Sequence, residues 1–206
     1  MTNQEIVING KLCKVGQLIA RGKGGYTYHA KVEDKEVILK QIHYEPCDYY
    51  KFEENKLNSE LRDYKTLHSL GIPIPKLLFF SQEEQLIVKE YIHGETLAKI
   101  VADNQINDKH ITQLFDICKL LYPNNLNIDY FPTNFVVSQG ILYYVDYECS
   151  EYSDEWNFEN WGIWFLANQK GMSSFLKDGD HASIIERNKP ITSGFENTIK
   201  RWYLLK

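Results

Sequence analysis

Residues 127–148, NIDYFPTNFVVSQGILYYVDYE, limit what this chain can fold into more than any other stretch. Residues 135–137 read as a strand, Ser138-Gln139-Gly140 as a turn, and 141–145 as the return strand. An antiparallel pair joined by a tight turn carries Asp146 back beside Asn134. Asp129 precedes Asn134 by five residues, with Pro132 shaping the turn between them. A carboxylate and an amide oxygen then converge, with a second carboxylate close by. Hard oxygen donors of this kind suit Mg²⁺, which keeps waters and substrate phosphates in its remaining positions. A single Asp or Asn beside a strand is ordinarily a turn residue, so the reading rests on the ordered set and on what lies upstream.

Upstream the pattern is β. Residues 5–8 and 11–13 flank Asn9-Gly10, a pair that accepts the positive φ angles of a type I′ hairpin. A strand over 16–21 leads into Gly22-Lys23-Gly24-Gly25-Tyr26-Thr27, and a further strand over 28–32 follows. Glycines between two strands let backbone N–H groups approach a phosphate without side-chain obstruction. The strand over 36–42, EVILKQI, places Lys40 among apolar residues, where burial costs free energy unless the charge is paired. Over 52–70 the period turns helical, with Leu57, Leu61, Tyr64, Leu67 and Leu70 three or four apart. Gly71 ends that helix, and Pro73 and Pro75 lie beyond it. Strands over 76–80 and 85–91 complete a sheet with one helix over residues 1–92.

Residues 93–206 read as mainly helical. A short helix over 96–101 is capped by Thr96 or Glu95, and a longer one over 110–122 buries Ile111, Leu114, Phe115, Cys118 and Leu121. An aromatic core helix is expected over 157–169, a short one near 173–176 and a last one over about 194–205. At 206 residues the chain suits one domain or two closely packed lobes. Its 43% hydrophobic and 14% aromatic content is enough to bury a core. A net charge of −5 argues against a general nucleic-acid binder and is compatible with a cationic substrate. Cys13, Cys47, Cys118 and Cys149 show no C-x-x-C spacing and read as scattered reduced thiols. No signal peptide or membrane-length apolar run is seen, so the expected compartment is the cytoplasm.

The order D-x-x-x-x-N, hairpin, D resembles the catalytic and metal loops of protein-kinase-like phosphotransferases. V-D-Y-E at 145–148 looks like the I-D-[FW]-E of choline kinases and aminoglycoside phosphotransferases, and EYSDEWNFENWG after it looks like their aromatic-rich stretch. V-I-L-K at 37–40 resembles the kinase V-A-I-K strand, and the glycine cluster resembles the glycine-rich loop, with Thr27 where a third glycine is usual. The resemblance implies an α+β fold of two lobes: an antiparallel N-terminal lobe with one helix over 1–92, and a reduced, mainly helical C-terminal lobe over 93–206. It implies ATP and Mg²⁺ as cofactors and Asp129 as the catalytic base. Asn134 and Asp146 would hold the metal. Gly22, Gly24, Gly25 and Lys40 would hold the phosphates, with Glu60 paired to Lys40 and Glu53 or Glu54 as alternatives. Glu90, Tyr91 and Ile92 would lie in the hinge that reads adenine through its backbone, and Glu148 would meet a substrate amine or a second metal.

Three departures from the family stand out. Asn127 replaces the histidine of H-x-D, Phe131 replaces the lysine that protein kinases place two residues after the catalytic aspartate, and the C-terminal lobe is short. In size the chain is nearer to the compact kinases of the tRNA threonylcarbamoyl-adenosine machinery, without their basic tail. The substrate cleft is then open or is completed by a second copy in a homodimer. The leading expectation is a kinase acting on a hydroxyl of a small molecule of aminoglycoside or choline type. The alternatives are an atypical Ser/Thr protein kinase or compact ATPase within a complex, and a non-catalytic nucleotide-binding module.

Overall fold

A computed structural model describes residues 1–2, 4–46 and 55–206. Cys47, Glu53, Glu54 and the first residues of the helix expected from position 52 lie outside the described residues. The chain divides into two compact units, one of residues 1–65 and 75–92, the other of residues 66–74 and 93–206.

The first unit is a sheet with a helix. Strands β1 (Glu5–Ile8), β2 (Lys11–Gly22), β3 (Gly25–Val32), β4 (Lys35–Ile42), β5 (Leu77–Ser81) and β6 (Leu86–Glu90) pair antiparallel in the order β1-β2-β3-β4-β6-β5. Asn9 and Gly10 take φ of 50° and 75°, as the type I′ turn requires. Ile8, Cys13, Val15, Tyr28, Leu39 and Val88 pack together as the sheet's core. Helix α1 (Lys56–Ser69) follows β4, and Gly71 at φ 76° stops it.

The glycine-rich segment is tighter than its composition suggests. Gly22 closes β2 and Gly25 opens β3, the two paired in register, so the turn is Lys23-Gly24 alone and Tyr26 and Thr27 lie within a strand. None of Gly22, Gly24 and Gly25 has positive φ. What Gly24 and Gly25 provide is close approach: a Cβ on either would stand 2.9 Å from a lysine Cε, of Lys56 and Lys40 respectively.

The second unit is mainly helical, with short strands that carry its polar loops. Its elements are β7 (Glu95–Thr96), α2 (Leu97–Ala102), α3 (Asp108–Leu121), β8 (Leu126–Ile128), β9 (Phe135–Ser138), β10 (Ile141–Tyr144), β11 (Cys149–Glu151), α4 (Ile163–Ala167), α5 (Gln169–Asp178), the strand pair β12 (Ile185–Glu186) and β13 (Lys189–Pro190), and α6 (Glu196–Trp202). The α+β class expected from the sequence is therefore present. Thr96 caps α2, its hydroxyl accepting from Lys99 N at 3.2 Å. The continuous aromatic helix expected over 157–169 is not formed. Residues 158–162 make one π-type turn, α4 follows, and Asn168 breaks the run by accepting from Gly171 N at 2.9 Å to open α5. A short polar side chain that bonds the backbone ahead of it competes with the helix it sits in.

His110 completes a capping box on α3, its Nδ1 accepting from Asn107 N at 3.2 Å. Burial, and then the Lys109 ammonium, hold its pKa below the ordinary 6.5, so the neutral ring that the cap needs is the one the fold favours. The unfolded chain binds that proton more readily, so stability rises with pH through the window below 6.5. The expected result is a melting temperature that falls between pH 7 and pH 5 less steeply in His110→Gln, which keeps the acceptor without the titration. Parallel melting curves for the two proteins over that range would refute it.

The described cysteines, Cys13, Cys118 and Cys149, are free thiols, and burial pushes Cys118 up to about 12. A thiol held protonated in this way is unreactive at neutral pH. No described helix is long and apolar enough to cross a membrane.

Candidate active site

In the first unit the charged residues gather beside the glycine turn. Lys40 on β4 reaches Glu60 on α1, Nζ to Oε1 2.6 Å. Lys56, one helical turn earlier, stands 3.4 Å from the same oxygen. All three are buried: Lys40 is 8% exposed, Lys56 3% and Glu60 1%. Lys40 sits opposite Thr27 on β3 and Ile87 on β6, which holds its stem between paired strands. The turn is fixed from its other side as well. Arg21 before it and Tyr26 after it both meet the Glu45 carboxylate, at 2.8 and 2.5 Å, and His43 N donates to Gly24 O at 3.2 Å. Those bonds, from Tyr26 first and then Arg21, hold the Glu45 pKa below its usual range.

Gly22 has no such steric role, since a Cβ there would make only an ordinary contact. Glu90, Tyr91 and Ile92 lie apart from Lys40, at the far end of β6, where Glu90 pairs with Val37. The Glu90 carboxylate accepts from Lys76 N at 3.2 Å, and the Tyr91 ring meets His29 edge-on at 5.1 Å.

In the second unit the loop after β8 carries the other set. Phe131 N donates to Asp129 Oδ1 at 3.0 Å, and Asn134 Nδ2 donates to Asp129 O at 3.3 Å. A 3₁₀ turn over Pro132–Asn134 then delivers the chain into β9. The β9–β10 hairpin pairs Phe135 with Tyr144, and Val145 N donates to Asn134 O at 2.8 Å. Asp146 follows at once, its Oδ1 accepting from Tyr147 N at 2.8 Å. The pairing of Ile128 with Cys149 in β8–β11 brings the next residues outward, Asp129 and Glu148, to the same end of that ladder. Asp129 is exposed, while Asn134, Asp146 and Glu148 are half-buried.

Tyr144 is the group sequence reasoning missed. Fully buried, it donates its hydroxyl to Glu148 O at 2.9 Å. Burial raises its pKa well above 10.0, and the carboxylates of Asp146, Asp129 and Glu148 raise it further. The phenol therefore stays neutral as a rigid post around which the three acids are arranged. Its only sequence signal was the alternation of the strand that ends in it.

Among the described residues no three His, Cys, Asp or Glu side chains gather as an all-protein metal cage would need. Mg²⁺ does not need one: one or two protein oxygens with waters and phosphates suffice, and Asn134 and Asp146 are donors of the right hardness. Asn127, 1% exposed, donates from Nδ2 to Trp156 O at 2.9 Å and so ties the loop to the aromatic segment. Phe131 stacks edge-on against Phe165 and Phe175 at 5.1 and 5.4 Å, an apolar wall next to Asp129.

The order of these parts is a strand lysine, a helix glutamate, an aspartate loop, and a hairpin ending in a second aspartate. It is the order that the sequence resemblance to kinases implies. No known protein-family profile matches the chain. It is similar to the EKC/KEOPS complex subunit bud32 of Dictyostelium discoideum, 27% identical over 115 residues. That match covers 54% of this chain and 46% of the subunit, so the chain spans under half the length of this curated relative. Among solved structures, that of vaccinia related kinase 3 aligns with 74% of this chain and 52% of its own, at a TM-score of 0.46 and 16% identity.

Proposed function

We propose that the protein is an ATP- and Mg²⁺-dependent phosphotransferase of the compact, atypical-kinase kind. The observation that carries this reading is the buried Lys40–Glu60 pair. A buried ion pair stabilises a fold no better than well-packed apolar residues of the same volume. Its presence beneath a glycine turn is accounted for by a task that needs a positioned cation, the holding of nucleotide phosphates.

In this reading Lys40 and the backbone of the Lys23-Gly24 turn hold phosphate oxygens. Asn134 and Asp146 hold Mg²⁺, which when bound neutralises charge on the transferring phosphoryl group. Asp129 orients the acceptor hydroxyl and takes its proton. Glu148, at the same end of the β8–β11 ladder as Asp129, would meet a cationic part of the acceptor. Positioning and charge stabilisation do most of the work in such transfers.

Similarity to a subunit of a complex favours a protein hydroxyl as acceptor, or ATP hydrolysis coupled to partner subunits. Phe131 and its aromatic neighbours favour the second reading, a small-molecule acceptor, because an apolar wall replaces a lysine beside Asp129. MgATP is expected to raise the melting temperature, since a ligand that binds only the folded state stabilises it. No shift at millimolar MgATP in folded protein would sink the proposal. ATP consumption with a generic protein substrate, set against amino alcohols, aminoglycosides and sugars, separates the two acceptors.

A further inference from the structure

We infer that the Tyr144 hydroxyl is spliced into the end of the β8–β11 ladder as a spacer, a positioning group that sets how far apart Asp129 and Glu148 stand. What that separation serves rests on the phosphotransferase reading above; the splice itself does not. The ladder pairs Leu126 with Glu151, Asn127 with Ser150 and Ile128 with Cys149, and there it stops. The next rung outward would join Asp129 to Glu148. Both backbones bond the Tyr144 hydroxyl instead: it donates to Glu148 O at 2.9 Å and accepts from the Asp129 backbone. A direct rung spans about 2.9 Å from nitrogen to oxygen. Two bonds in series through one oxygen hold the same groups farther apart, so the two chains splay where the two acids stand.

The spacer is fixed in place. Its ring is fully buried, lies opposite Phe135 in the β9–β10 register and packs against that ring at 5.3 Å between centroids. Phenylalanine would fill this position with no polar group to satisfy, whereas a buried hydroxyl costs free energy unless it is bonded. Tyr144 meets that requirement with the two backbone groups it joins. Asp129 is exposed, so the splayed end is the one that solvent, and with it an acceptor, reaches. Asp146 is held by other bonds, Val145 N to Asn134 O on one side and Tyr147 N to its own Oδ1 on the other. Loss of the hydroxyl should therefore disturb the acceptor side of the site and spare the metal side.

Tyr144→Phe deletes the spacer and keeps the ring. By amide hydrogen exchange, the Asp129 N–H is expected to be slow in the wild type and about tenfold or more faster in Tyr144→Phe, measured relative to the amides of the β9–β10 hairpin. The kcat for ATP consumption should fall about tenfold while MgADP affinity stays within about twofold, since a misplacement of about 1 Å can cost up to about 10²-fold. Tyr122→Phe is the control for a purely structural loss. It removes another hydroxyl of the same unit, one that accepts from Phe158 N at 3.0 Å and donates to Glu159 at 2.7 Å, and it should lower stability without lowering kcat. Unchanged Asp129 exchange in Tyr144→Phe overturns the splice. Unchanged kcat in Tyr144→Phe, or an equal fall in Tyr122→Phe, overturns its part in positioning the acids. A wild-type protein that neither binds MgADP nor consumes ATP fails the phosphotransferase reading instead, and the exchange measurement still decides the splice.

Discussion

Asp129→Asn is expected to bind MgATP nearly as well as wild type and to lose ~10²-fold or more in turnover, the scale of a positioned acid–base group. The substitution is conservative in shape. Asp129 Oδ1 accepts from Phe131 N at 3.0 Å, and the Asn134 amide bonds the Asp129 backbone rather than its carboxylate. An asparagine keeps both contacts, so the loop should hold its form. What is lost is the charge and the site that takes the proton. Asp146→Asn should behave differently: losing an anionic oxygen from the metal set weakens the Mg²⁺-dependent part of nucleotide binding. Basal ATP hydrolysis and nucleotide affinity, each measured with and without Mg²⁺, distinguish the two variants. Equal turnover in Asp129→Asn and wild type would remove Asp129 from the mechanism and favour a non-catalytic nucleotide-binding module.

Much of this architecture was legible because local chemistry and fold agree. Asn9-Gly10 admits one kind of turn, and the β1–β2 hairpin forms around it. The hairpin after Asn134 was readable for the same reason, with Gln139 and Gly140 at φ 50° and 78°. That Lys40 needs a partner follows from one rule, the cost of burying a lysine on an apolar strand, whereas Glu60 as that partner was what the resemblance to kinases implied. What could not be read depends on tertiary approach. Lys56 looks like a solvated first-turn lysine until the glycine turn is seen lying on its stem. Tyr144 looks like any strand aromatic until its burial and its acidic neighbours are known. The short β8–β11 ladder, which sets Asp129 opposite Glu148, pairs three-residue strands more than twenty residues apart, too short for periodicity to reveal. The aromatic helix over 157–169 failed because apolar spacing continues through Asn168, whereas the side chain of Asn168 bonds the backbone ahead and interrupts the ladder.

The buried charges predict an asymmetry in stability. Glu60→Leu removes the carboxylate that two buried ammonium groups share, at 2.6 and 3.4 Å. Removing one partner of a buried pair leaves the other uncompensated in a medium of low dielectric, which costs about 3–5 kcal/mol. Lys40→Met is the milder change. It deletes one cation of two, its methylenes are replaced by a side chain of similar length, and Glu60 retains Lys56. Urea denaturation should therefore show a large drop in midpoint for Glu60→Leu and a much smaller one for Lys40→Met, at unchanged slope. Function should rank the other way. Lys40→Met, folded and nearly as stable as wild type, should lose most of its MgATP affinity, because the cation proposed to hold the phosphates is the one removed. Glu60→Leu/Lys56→Met should recover part of the stability lost in Glu60→Leu, since it removes one of the two stranded cations. Equal destabilisation by Glu60→Leu and Lys40→Met would mean that Lys56 does not share the carboxylate in solution, and that the two lysines act independently.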